Sequence, residues 1–263
     1  SIVHHLRCME TRSPRVNIML GRVERAYLKT VDAFVFNSRH TRDTVDGLTG
    51  QSKPHVLATP GGDRLGTLTD EQLIRDRCLQ AGPLKLLFIG NLVPRKNLVD
   101  LLTALARVKM VPWQLTVIGR LDVDTAHTSL IRKRIKGLGV SDRVHFCGAV
   151  DDRRLKHYLR SSHLIAMPFT YEGFGIVYLE GMAFGLPSLA GRRGGASELV
   201  LDGKTGRLFD PGKKDHLAAV VEHLGSHRNE LLAMSLAARR RFEAFPTWRQ
   251  TGAAVRHFLQ TVL

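Results

Sequence analysis

The chain has 263 residues, 43% of them hydrophobic, which is enough for one or two domains with their own cores. No run of about 18 apolar residues occurs, which excludes a membrane-spanning helix. Three scattered cysteines, Cys8, Cys78 and Cys147, argue against a disulfide framework or a zinc site and point to a reducing compartment. The formal net charge of +15 calls for an anionic neighbour: a lipid surface, nucleic acid or a phosphorylated ligand.

In chain order, "SIV" (1–3) and "AFVF" (33–36) read as short strands with a helix between them. "ATPGGDRLG" (58–66) breaks any regular element with Pro60 and its glycines, and marks a domain boundary. Beyond it, "KLLFIG" (85–90), "QLTVIG" (114–119), "RVHFCG" (143–148) and "HLIAMP" (163–168) read as buried strands. Helical patterns lie between them at 97–109, 125–138 and 151–161. This alternation predicts right-handed crossovers and a doubly wound parallel α/β sheet covered on both faces. The expected divisions are 1–66, 67–246 and an amphipathic C-terminal helix over 247–263. Basic residues cluster in "IRKRIK" (131–136) and at Arg239, Arg240 and Arg241. Solvated helix faces and an anionic partner both account for them. No basic strand carries interleaved aromatics, so nucleic acid is not an expected partner.

The densest stretch is "TYEGFGIVYLEGMAFGLP" (170–187), in which seven residues separate Glu172 from Glu180. It follows a strand that ends near Pro168, and ligands of open parallel sheets bind at such ends. The helical run from Ile176 to Phe184 puts Gly173, Phe174 and Gly175 at a helix N-terminus, a natural seat for phosphate. Glycine at 173 and 175 is expected to let the phosphate approach. Glu172 then faces the ligand, while Glu180, two turns on, suits a sugar diol. A glycine turn followed by a helix with two unrelated acids remains the plainer alternative on spacing alone.

The same residues resemble the signature of retaining glycosyltransferases of family four, which have the GT-B fold. Matching landmarks run through the chain: "VHHLRCME" (3–10), "ERAYLKTVDAFVFNSRHTRD" (24–43), "ATPGGD" (58–63), "LLFIGNLVPRKNLVDLLTAL" (86–105), "LTVIGRLDVD" (115–124), "VHFCG" (144–148), "MPFTYEGFGIVYLEGMAFGLP" (167–187) and "GGASELVLDGKTGRLFDPG" (194–212). The resemblance implies one complete doubly wound Rossmann-like domain over 67–246 for the nucleotide-sugar donor. It implies an incomplete N-terminal Rossmann-like domain over 1–66, the last portion of the acceptor side, with the C-terminal helix packing back on it. Glu172 is implied beside the donor sugar and Glu180 on the ribose, with Gly173, Phe174 and Gly175 meeting the diphosphate. Gly90 and Lys96 of "GNLVPRKN" are implied at the diphosphate, where a cation stabilises the leaving group. Asn91 stands where many members carry arginine, and Arg95 is the candidate to compensate. His4 is implied to reach the centre from across the cleft. Glu198 resembles a family position at a helix start and reads as structural.

The implied activity is transfer of a sugar from a UDP- or GDP-sugar to a glycan or lipid-linked acceptor, with retention, in the cytoplasm, with no cofactor and no metal. Asp122 and Asp124 of "DVD" read as loop residues. The basic charge is expected to serve an anionic membrane surface. A missing N-terminal domain or partner chain is expected, because the chain opens at Ser1 in mid-domain. The alternative is a truncated, non-catalytic nucleotide-binding or partner subunit derived from such an enzyme.

Overall fold

The computed structural model describes residues 1–10, 12–66, 68–210 and 212–262. The expected domain start at 67 and the expected helix end at 263 lie outside them. The N-terminal unit holds β1 (Ile2–Val3), α1 (Pro14–Thr30), β2 (Phe34–Phe36), α2 (Arg39–Thr49) and β3 (His55–Leu57). Its three strands are parallel in the order β1-β2-β3. The expected strand, helix and second strand are therefore one helix and one strand short. "HVL" at β3 is too brief for its apolar run to stand out, and α2 is led by charged and hydroxyl residues. A small core of Val3, Leu6, Leu28, Phe34, Phe36 and Val45 lies beneath the helices.

The larger unit begins with α3 (Glu71–Leu79) and β4 (Leu84–Ile89). It continues through α4 (Leu98–Leu105), β5 (Trp113–Ile118), α5 (Thr125–Gly137), β6 (Val144–Gly148), α6 (Asp152–Ser161) and β7 (Leu164–Met167). Then come α7 (Ile176–Ala183), β8 (Ser188–Gly191), α8 (Ala196–Leu199), β9 (Gly206–Phe209), α9 (Lys214–Ser226) and α10 (Arg228–Phe242). The six strands are all parallel, in the order β6-β5-β4-β7-β8-β9. This is the doubly wound order, with its switch point between β4 and β7. The central strands are mostly apolar because helices cover both faces: Leu86, Leu87, Phe88, Leu164, Ile165, Ala166 and Met167 are all buried, and only Lys85, near the start of β4, is charged and exposed. The helix expected over 97–109 stops at Leu105.

The last element, α11 (Trp248–Val262), turns back to the smaller unit. Thr251 Oγ1 donates to the Thr59 carbonyl at 2.6 Å, and Trp248 N–H donates to Asp63 at 2.7 Å. The basic run at 239–241 is not a simple solvated face. Arg239 donates to the Thr69 carbonyl and Arg241 to the Glu198 carbonyl, so both tie α10 to neighbouring segments.

Candidate functional site

The chain leaves β4 and β7 in diverging directions, and the two loops that follow form one wall of a cleft. The β4 loop carries Gly90, Asn91, Arg95 and Lys96, and the β7 loop carries Glu172 to Gly175. They are stitched together by main-chain carbonyls: Asn97 Nδ2 donates to Pro168 at 3.1 Å, and Thr170 N–H donates to Arg95 at 3.3 Å. Lys96 Nζ and Glu172 Oε2 then meet at 3.0 Å. The ammonium also stands 3.7 Å above the ring centroid of Phe169, which is buried against Phe88 and Tyr178. Burial pushes Lys96 below its ordinary pKa; Glu172 pulls upward, Arg95 adds to the lowering, and the net shift is down.

The cleft itself has a volume of about 590 Å³. His4 and Asn37 line it from the N-terminal unit, Glu172 and Glu180 from the larger one, and Arg64 and Trp248 from the connecting segments. Seven residues between two acids therefore do place both on one cavity. Gly175 caps α7 in the left-handed region at φ 95°, so the first N–H groups of α7 lie beside Glu172. His4 is exposed at the opposite wall, and its carbonyl accepts from Asn37 Nδ2 at 2.9 Å.

The fold gives the glycines a further reason, beyond the one expected from the sequence. A Cβ at 173 would collide with the His4 carbonyl oxygen, and one at 175 with the Tyr178 ring. Both positions are small because protein packs against them, whatever else they admit. Ser38 Oγ donates to the Gly173 carbonyl at 2.8 Å, so the N-terminus of α2 holds the "EGFG" loop directly.

Glu198 also does something its own helix does not explain. α8 is only four residues long, and the Glu198 carboxylate reaches across to α2. It accepts from Arg39 N–H at 3.2 Å and His40 N–H at 2.7 Å, capping a helix of the other unit. Asn91 is exposed, and its Oδ1 accepts from Arg120 N–H at 3.2 Å. Asp122 is held by the Arg120 guanidinium at 2.9 and 3.0 Å, and Asp124 caps α5 through His127 N–H at 2.8 Å. Among the described residues no group of three His, Cys, Asp or Glu could hold a metal ion.

Sequence reasoning passed over Arg64. Its Nε donates to Glu180 Oε1 at 2.8 Å and its Nη1 to Asp152 Oδ1 at 2.6 Å. The two acids hold its guanidinium above the ordinary pKa. The only sequence signal was an arginine directly after "PGGD", in a segment read as a break.

Two parallel α/β units facing each other across a cleft, with ligand-facing loops at the switch point of the larger sheet, define the GT-B class. Solved structures agree. One is Anabaena HepE in complex with UDP and glucose, with a TM-score of 0.84 and 22% identity over 98% of this chain and 70% of that one. Another is sucrose-phosphate synthase from Thermosynechococcus elongatus, with a TM-score of 0.82 and 22% identity over 99% of this chain and 67% of that one. The profile of the glycosyl transferases group 1 matches residues 70–241, and the chain belongs to that family. A GDP-mannose-dependent α-(1-6)-phosphatidylinositol monomannoside mannosyltransferase of Mycolicibacterium smegmatis is 31% identical over 240 residues, 87% of this chain. A D-inositol 3-phosphate glycosyltransferase of Arthrobacter sp. is 31% identical over 206 residues, 76% of this chain. The chain spans 62% and 48% of the length of these two relatives.

Proposed function

We propose that this chain carries the donor-binding half of a retaining glycosyltransferase that moves a sugar from a nucleotide sugar to a glycan or lipid-linked acceptor. The observation that carries this reading is the Lys96–Glu172 pair, 3.0 Å apart, beside the first turn of α7. It sets a cation, a carboxylate and free main-chain N–H groups around one point. Lys96 and the N–H groups of Phe174 and Gly175 receive the diphosphate. Lys96 stabilises the negative charge that develops as the sugar–phosphate bond breaks. Glu172 orients the sugar hydroxyls, Glu180 takes the ribose diol, and His4 approaches the sugar from the other wall. In the same-face route implied by the family resemblance, the acceptor oxygen bonds to the anomeric carbon as the phosphate oxygen leaves. The acceptor proton passes to that phosphate oxygen. The reading needs no cofactor and gives the charge-neutralising role to Lys96 rather than to a metal ion. The free cysteines Cys8, Cys78 and Cys147 suit a cytoplasmic setting.

Calorimetry with UDP, GDP and ADP, with and without chelator, tests the reading. One nucleotide should bind in both conditions, and Glu180→Ala should weaken it by about 1–3 kcal/mol. Silence toward all three, or binding that vanishes with chelator, removes the proposal.

A second reading, in which the chain binds nucleotide but requires another polypeptide for transfer, is favoured by the exposed apolar surface of the N-terminal unit. Ile2, at the sheet edge, is 64% exposed, and Ile18, Met19, Val23 and Tyr27 of α1 are each about 60% exposed. Arg15, Arg22, Arg25 and Lys29 share that helix, which also suits an anionic membrane surface. Sedimentation with anionic and neutral vesicles separates lipid from protein: capture by anionic vesicles alone favours lipid, and transfer gained only with an added first domain favours a protein partner.

A further inference from the structure

Glu180 stands in a costly place. It lies on α7, where residues 178–183 are all buried, and is itself only 4% exposed. A carboxylate withdrawn from water there needs a compensating charge. The larger unit's own core supplies none. The cation comes from Arg64, 116 positions earlier, in the segment that joins the two units.

The geometry of that pairing is unusual for the residue types. A guanidinium commonly takes both oxygens of one carboxylate as a two-pronged fork. Arg64 instead takes one oxygen from each of two acids, Glu180 Oε1 on α7 and Asp152 Oδ1 at the start of α6. Among the described residues the hydrogen bonds to Glu180 use Oε1 alone. Arg64 and Glu180 both line the cleft, whereas Asp152 does not.

From this arrangement we infer that Arg64 is a positioning residue for nucleotide binding: split between Asp152 and Glu180, it holds Glu180 by Oε1 and turns it so that Oε2 meets the ribose diol. The inference rests on the donor-binding reading above and adds to it a residue outside the family's familiar motifs. Asp152 is the counterweight. Its pull on Nη1 prevents the guanidinium from closing over both oxygens of Glu180.

The experiment is calorimetry of UDP, GDP and ADP against their 2′,3′-dideoxy counterparts. The wild-type chain is compared with Arg64→Met, Arg64→Lys and Asp152→Asn, each checked by its melting temperature. The wild-type chain should lose about tenfold in affinity when the diol is removed, the scale of one hydrogen bond to a charged group. Arg64→Met should bind the ribonucleotide about tenfold more weakly and show almost no further loss with the dideoxy form, because the two losses share one carboxylate. Arg64→Lys should recover part of the diol preference. Asp152→Asn should weaken ribonucleotide binding several-fold at an unchanged melting temperature, because Asp152 is exposed and touches the ligand only through Arg64. A full diol penalty in Arg64→Met, or wild-type binding in Asp152→Asn, overturns the inference. If Arg64→Met does not fold, Asp152→Asn decides alone. Silence of the wild-type chain toward UDP, GDP and ADP alike removes the donor reading and this one together; nucleotide binding indifferent to Arg64 removes this one only.

Discussion

The two units share an architecture and differ in how well each covers itself. In the larger one, helices sheathe both faces of a six-stranded sheet, and the core runs without a break from Leu65 to Ala238. In the smaller one, a three-stranded sheet rests on six buried apolar residues. Of the 17 residues of α1, Leu28 alone is buried, while Val23 is 62% exposed. The comparison teaches where rigidity resides. The loops bearing Lys96 and Glu172 and the helix bearing Glu180 spring from the self-sufficient sheet, whereas His4 is held by a unit that leans on its neighbour.

Three experiments would break or sharpen this contrast. The largest effect is expected from Phe88→Ala, at a fully buried position of β4. It should cost about 3–5 kcal/mol and unfold the larger unit cooperatively. Phe36→Ala should instead loosen mainly residues 1–57. Denaturant melts with amide exchange read both, and identical exchange patterns from the two variants would merge the units into one.

Next comes pH. His163 Nδ1 accepts from Lys85 N–H at 2.9 Å, and Nε2 donates to the Arg77 carbonyl at 2.9 Å. Both bonds suit the neutral ring, and burial pushes its pKa from 6.5 down to about 4. Below 6.5 the unfolded chain binds the proton and the folded chain does not. Stability is therefore complete above 6.5 and falls as pH drops toward about 4, by on the order of 3 kcal/mol. His163→Gln should flatten that part of the stability profile, and an unchanged slope would remove His163 as its source. The smallest effect is expected of Glu198→Ala, about 1–2 kcal/mol for a lost helix cap. Faster amide exchange confined to Arg39 and His40 should accompany it; unaltered exchange there would mean the two units do not depend on this cap.

Much of the larger unit was legible because its central strands are continuous runs of Leu, Ile, Val and Phe. The runs at 85–90, 114–119, 143–148 and 163–168 fall on β4 to β7. β8 and β9 were not read. "SLAG" and "GRLF" have four residues each, and serine and glycine hide their burial, which comes from neighbours rather than from local preference. Glu172 and Glu180 stood out through charge type and spacing and Lys96 through the family resemblance of "GNLVPRKN", and the convergence of all three on one cleft wall follows from the switch point. Arg64 and the reach of Glu198 to α2 were not legible, because each acts on a residue more than a hundred positions away. The glycine at 173 was noticed, but its neighbour His4 could be supplied only by the fold.

The joint between the units is written largely in main-chain atoms. The carbonyls of His4 and Gly173 and the amides of Arg39 and His40 exist whatever side chains those positions bear. Such a joint tolerates divergence. The N-terminal unit can exchange its cleft-facing side chains without unlearning how to dock, provided that Ser38, Gly173 and Glu198 stay. A fold assembled this way can vary one wall of its cleft while the other stands still.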